Sequence, residues 1–401
     1  MKRFLFAVSF LCATSLALAS VIHVPASQPT IQAGINAAVN GDMVLVAPGT
    51  YKENINFNGK AITVKSSNGA KVTIINGGNI ASVVTFSSGE TLKSVLAGFT
   101  LQHGNPSFSG GGVNIQSASP TIRGNVIQNN TACEGGGINS TFGSPVIQGN
   151  TISFNSNSKT NCLGNDGAGI SIGGTSAAKV IGNVIANNSA VGDGGGIMLF
   201  DAGTPTLMNN IIVANTAKGS SSSQGGGIWI VNQSDALIVQ NLIYNNNADQ
   251  GGGIYFAVPS SGRGPILTNN TIAGNIASQG SAVFAAGYSE QTVFFNNIML
   301  APSGGNAVDC SSAFPPIFTN NDAFSAGGAG LLGTCSGQSS QNGNISADPR
   351  FVNAVTNQYK LATGSPAINA GKNSAPNLPA KDLSGKPRIV NGTVDMGVYE
   401  F

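Results

Sequence analysis

Gly194-Gly195-Gly196-Ile197, followed after a turn by Asn210-Ile-Ile212-Val-Ala-Asn215, is the stretch whose reading decides the fold. The same phrase recurs seven times between Gly110 and Pro302, with aliphatic anchors at Val113, Ile138, Ile170, Ile197, Ile228, Ile254 and Val283. The anchors lie 25 to 32 residues apart, a loose period that belongs to a solenoid with loops of unequal length. The second half keeps step: Asn125, Asn150, Asn183, Asn210, Asn241, Asn270 and Asn297 align, and in the first six copies another Asn follows five residues later. Pro120, Pro145, Pro205 and Pro265 each stand five residues ahead of the aligned Asn.

The filling of the unit chooses strand over helix. Each anchor sits in a short apolar run of period two, such as Ile228-Trp-Ile230, bounded by Gly, Pro, Asn and Ser. No unit has the ten or so breaker-free residues a helix would need. Three short strands per unit, each stacked on its equivalent in the next, predict an all-β chain folded as a right-handed parallel β-helix. A recurrent Asn in a buried bend is then structural, its amide pairing with backbone groups and with the Asn one coil away.

At the start of the chain, Lys2-Arg3, an apolar core from Phe4 to Leu16 and Ala17-Leu-Ala19 read as an export signal over residues 1–19. No later stretch is apolar for long enough to span a membrane. The expected product is secreted, extracellular or periplasmic, and monomeric, without membrane insertion. Loss of Lys2 and Arg3 leaves 16 basic against 16 acidic residues, and only 8% of the chain is charged, which argues against nucleic acid as a partner.

Ser27 to Gly41 carries a helix signature, with Ser27 as cap, Ile31, Ile35 and Val39 on one face and Gly41 at the stop. One amphipathic helix would cover the open apolar end of the solenoid. Four cysteines follow the leader. Cys133 and Cys162 lie in equivalent loops of consecutive coils, about one strand spacing of 4.8 Å apart, which suits a disulfide. Cys310 and Cys335 are then paired by elimination.

Pro29-Thr-Ile-Gln-Ala-Gly-Ile, Gly41-Asp42-Met-Val-Leu-Val-Ala-Pro-Gly-Thr-Tyr51 and Gly59-Lys60-Ala-Ile-Thr resemble the amino end of bacterial secreted proteins with the pectin-lyase-like right-handed β-helix. Asp348-Pro349-Arg-Phe351, Ser365-Pro-Ala-Ile-Asn-Ala-Gly371, Asp382-Leu-Ser-Gly385-Lys-Pro-Arg388 and Asp395-Met-Gly-Val-Tyr399-Glu400 resemble a choice-of-anchor Q domain, with Asn369 where that family usually has Asp. The resemblance implies a β-helix with capping helix over residues 20–302, and final coils with a small β-rich tail over 303–401. It implies no single chemistry, because this fold hosts lyases, hydrolases, esterases, epimerases and binding proteins.

Two columns in the aligned copies carry candidate function. Four residues before each anchor stand Ser109, Glu134, Asp166, Asp193, Gln224, Gln250 and Gln279. Glu134, Asp166 and Asp193 would therefore stack about 4.8 Å apart, a candidate calcium site, since like charges so close call for a cation or a shared proton. The plainer reading is a set of polar turn residues splayed into water. One residue after each anchor, Met198, Trp229, Tyr255 and Phe284 form an outward stripe suited to stacking on sugar rings. Its rival is ordinary packing under a loop or the tail.

Catalytic signatures are thin. Lys159 and Lys218 are the candidate bases for a lyase, and neighbouring carboxylates the candidate pair for glycoside hydrolysis. The paired-Asp and Gly-His-Gly signatures of β-helix polygalacturonases are missing, and His23 and His103, the two histidines, precede the repeats and read as structural. The expected task is engagement of an extracellular polysaccharide, chiefly by binding, with lyase or hydrolase as the enzyme classes. The competing class is a structural or adhesive surface protein.

Overall fold

The computed structural model describes residues 19–157, 162, 164–219, 222–287, 291–356 and 358–401. Residues 1–18, most of the span expected to be an export signal, and Lys159 lie outside the described residues. Three parallel sheets of twelve, eleven and eleven strands wrap one apolar interior. Every coil contributes a strand to each sheet in turn, so sequence neighbours lie on different faces and equivalent strands stack. One sheet, here called the anchor sheet, runs from Ile55–Asn56 to Leu331–Gly333 and holds the seven predicted anchors in direct register, Val113 on Ile138 on Ile170 on Ile197 on Ile228 on Ile254 on Val283. All seven side chains are fully buried. The sheet that follows it in each coil begins at Val21–Val24, and the third begins at Gly49–Lys52.

The Asn residues hold the bends. Asn210 Nδ2 donates to Asn241 Oδ1 at 2.9 Å and to the Val180 carbonyl at 2.8 Å, while its backbone N–H also donates to Asn241 Oδ1 at 3.0 Å. This unit repeats from Asn125 through Asn297 and continues to Asn321 and Asn344 beyond the repeats. A second ladder runs from Asn130 to Asn275. Each amide thus satisfies backbone groups that a buried bend would otherwise orphan.

The helix spans Ile31–Ala37 and its cap is Thr30, whose hydroxyl accepts from the Ala33 N–H, in place of the expected Ser27. It stops before Val39, which is exposed instead of facing the core. Glu53 supplies the missing reason: its two oxygens accept from the Ile31 and Gln32 N–H groups, fixing the helix start from the next coil. Ile31 and Ile35 then close the end of the core.

Both disulfides are present, Cys133–Cys162 and Cys310–Cys335, with Cα separations of 5.6 and 5.7 Å. The tail adds two antiparallel pairs, Phe351–Asn353 with Gln358–Leu361 and Ile389–Val390 with Thr393–Val394. It docks on the third sheet, where Tyr359 and Val398 pack against Leu242 and Ala273, and Met396 against Ile298. Asn269 and Asn296 donate to tail carbonyls, so polar groups seal the same junction. Inside the tail, buried Arg388 pairs with Glu400 at 3.4 Å, while Asp395 accepts from the Asn369 and Phe401 N–H groups. The motif residues of the tail are therefore consumed in holding it together.

Candidate functional site

With the tail on the third sheet, the outer face of the anchor sheet carries a cavity of about 550 Å³. Its floor comes from the residues after the anchors, Ser171, Met198 and Trp229, and one wall from Glu134, Gly164 and Asp166. The opposite wall is Thr141, Phe142, Phe200 and Asp201. A trough of about 410 Å³ continues it over earlier coils, lined by Phe108, Ser109, Asn114, Gln116 and Asn139, and shares Glu134 and Thr141 with it. Together they make one groove across five coils, polar at one end and aromatic at the other. A hollow of about 380 Å³ between Thr319, Asn342 and Lys372 offers neither ring nor carboxylate.

The two columns read from the sequence meet here, in altered form. Phe200 and Trp229 stack with ring centroids 6.4 Å apart, and Trp229 Nε1 donates to Gln224 Oε1 at 3.0 Å. Trp229 remains partly exposed. Met198 is 7% exposed and still reaches the cavity, but Tyr255 and Phe284, at 7% and 5%, do not line it. They stack face to face at 5.5 Å, in a cluster with Val231. The expected run of exposed rings is thus shortened: flat rings on consecutive strands bury one another, and only the Trp229 end is open.

Glu134, Asp166 and Asp193 do fall in consecutive coils, but as a ladder. The Asp193 N–H donates to Asp166 Oδ1 at 2.7 Å and the Gln224 N–H to Asp193 Oδ1 at 2.6 Å. Two of the three carboxylates thereby spend an oxygen on backbone. Among the described residues no group of three or more His, Cys, Asp and Glu is gathered to hold a metal. The turn uses one oxygen each of Asp166 and Asp193 as backbone acceptors and leaves their second oxygens and the Glu134 carboxylate outside that ladder. Burial pushes all three carboxyls up, Asp193 to about 6, with repulsion from Asp166 adding at Glu134 and Asp193. Glu134 and Asp166 both close on Gly164, where an added Cβ would stand 3.9 Å from Glu134 Oε1 and crowd Asp166 Oδ2 at 3.0 Å.

Phe142, Phe200 and Asp201 escaped the sequence reading. They lie three and four residues after their anchors, where the strand turns, a position the repeat alignment marks as a turn and nothing more. A local signal exists only in the structure: Phe142 holds φ +55°, a left-handed conformation rare for a bulky residue. Its ring lies over Gly174, where a Cβ would sit 2.5 Å from the ring edge. Phe142 is 66% exposed, and the same turn position is left-handed at Ser117, Asp201 and Asn232, so the conformation belongs to the repeated turn and the ring is what differs. Lys218 is exposed and lines neither part of the groove.

Comparison with known proteins places the architecture. The family described as "Right handed beta helix region" matches residues 146–298. The chain folds as a right-handed parallel β-helix. The crystal structure of pectate lyase Pel9A superposes on the right-handed helix with a TM-score of 0.54 at 17% identity, covering 96% of this chain and 97% of that one. PfbA, a surface adhesin of Streptococcus pneumoniae, gives 0.46 at 14% identity over 75% and 87%, and the PL6 family polysaccharide lyase Pedsa3628 from Pseudopedobacter saltans 0.38 at 14% over 95% and 100%. At 17% identity the likeness to Pel9A is one of fold. A search of curated protein sequences returns no match.

Proposed function

We propose that this β-helix is an exported protein that binds an extracellular polysaccharide lengthwise in the groove of its anchor sheet. The observation that carries the reading is the open aromatic end of that groove, where Phe142, Phe200 and Trp229 gather around a cavity of about 550 Å³ that also holds hydrogen-bonding carboxylates. Sugar rings offer apolar faces and hydroxyl edges, and such a surface meets both. The two disulfides support life in an oxidising compartment, in keeping with the leader-like first 19 residues. The tail, by its resemblance to choice-of-anchor Q domains, belongs to the same extracellular setting, and its docking on the third sheet leaves the groove sheet clear.

The experiment is titration of the secreted protein with plant, algal and bacterial oligosaccharides while following the emission of Trp229, the single tryptophan. A bound glycan is expected to shift that emission. Trp229→Ala is expected to weaken binding by about 1–3 kcal/mol, if stacking energies known for nucleic-acid bases carry over, with the melting temperature nearly unchanged. A tryptophan that answers no glycan, and whose loss lowers stability by roughly 3–5 kcal/mol, would return the stripe to packing and the protein to the scaffold class. The buried pair Tyr255–Phe284 is what favours that second reading.

A further inference from the structure

We infer that the groove selects a glycan bearing free amino groups, an amine-substituted polymer of the glucosamine class, over neutral and uronate chains. The inference rests on the glycan reading above and adds the chemical class of the ligand. Three carboxylates line the cavity, Glu134, Asp166 and Asp201, and among the described residues neither it nor the adjoining trough is lined by Lys or Arg. A polyuronate would bring a carboxylate on every sugar into this field, where no described lining residue is basic, at a Coulomb cost that grows as water is displaced. An ammonium group reverses the sign of each of those contacts.

A separate observation points the same way. Asn139 is 3% exposed and lines the trough. Its Nδ2 donates to Asn114 Oδ1 and Thr141 Oγ1, yet its buried Oδ1 receives no hydrogen bond. A buried acceptor without a donor costs free energy that a ligand can recover. The groove thus offers acceptors, the unpaired Asn139 amide oxygen just beneath the trough lining and the Glu134 and Asp166 carboxylates beside Gly164, and asks for donors. Hydroxyls supply some; an ammonium supplies three N–H groups and the complementary charge. Both carboxylates line the cavity beside Gly164, where one small cationic substituent can meet them, whereas an acetylated amine there is bulkier, uncharged and down to one N–H.

The test is calorimetric titration of the whole protein with oligomers of equal length in three series: glucosamine, N-acetylglucosamine and galacturonate. The expected order places glucosamine about tenfold or more ahead of its acetylated form, with galacturonate weakest. Glu134→Gln is expected to reduce the affinity for glucosamine about tenfold more than that for N-acetylglucosamine. Should that variant fail to fold, raising salt from about 0.05 M to about 0.5 M with the unaltered protein decides: screening must weaken the glucosamine complex severalfold and leave the acetylated one in place. Equal affinity for the two amino-sugar series, or preference for galacturonate, overturns the inference while the groove remains a glycan site. Silence toward all three series in both heat and Trp229 emission overturns the inference, and if wider glycan panels are equally silent the parent reading falls with it.

Discussion

Asn210 makes four hydrogen bonds through a single amide, two donated by Nδ2 and two accepted by Oδ1, from the Asn183 N–H and the Asn183 Nδ2. Truncation to Ala removes both functions at once and takes partners from the Asn183 N–H and the Val180 carbonyl in a fully buried bend. At about 1–3 kcal/mol for a buried group left unpaired, Asn210→Ala is expected to cost at least about 3 kcal/mol, read as a fall in the chemical-denaturation midpoint. A loss under about 1 kcal/mol would mean that the ladder is decoration on a structure held by its aliphatic core. Asp193 behaves differently because it titrates. Its folded-state pKa of about 6 lies above the ordinary 3.8, so the folded protein holds that proton more tightly than the unfolded chain does. The stability this provides is complete below about pH 3.8 and is lost as pH rises through about 6. Asp193→Asn keeps the acceptor for the Gln224 N–H and removes the titration. Across that window the melting temperature of the unaltered protein should therefore fall relative to the variant, then run parallel above about pH 7. Parallel curves throughout would mean that Asp193 is well hydrated.

The capping helix is an element whose sequence was easier to detect than to place. Ile31 and Ile35 marked the buried face, but Ser27 and Thr30 are both good caps, and nothing local distinguishes them. Glu53, more than twenty residues ahead, settles the choice through two hydrogen bonds of 2.9 Å, and no local rule sees such a partner. Glu53→Ala is expected to destabilise the helix by about 1–2 kcal/mol, visible as faster hydrogen exchange at Ala33 to Ala37 while amides bonded to the Asn ladders stay protected. Uniform acceleration along the chain would instead mean that the cap and the coils open together. The strands are the opposite case. Their anchors, Asn positions and the Cys133–Cys162 pair were legible from repetition alone, since a stacked coil forces equivalent residues into contact, whereas Cys310–Cys335 followed by elimination.

At the scale of the molecule, repetition reports what coils share and is silent about how they differ. The floor of the groove, through Met198 and Trp229, was legible because it lies one step from an anchor. The far wall was not, because Phe142 and Phe200 stand at turns where the other copies place Gln116, Ser117 and Asn232. Burial of Tyr255 and Phe284 was equally hidden: alternation tells which way a side chain points and says nothing of what its neighbours do to it. The tail, recognisable by its motifs, gave no hint of which face it would cover until Tyr359 and Val398 were seen against the third sheet.

The Asn ladders have one more consequence. They set the pitch from within, at the bends, and leave the segments between coils free of any metric duty. The anchors are 25 to 32 residues apart in sequence, yet stack strand on strand without slippage. Loop closure grows in cost only with the logarithm of length, so segments between coils can differ in length, as the unequal anchor spacing shows, while the rungs keep their register. Such a chain can trade groove walls while keeping its backbone: a ruler with interchangeable edges, on which new specificities arise by lengthening a loop and not by rebuilding a core.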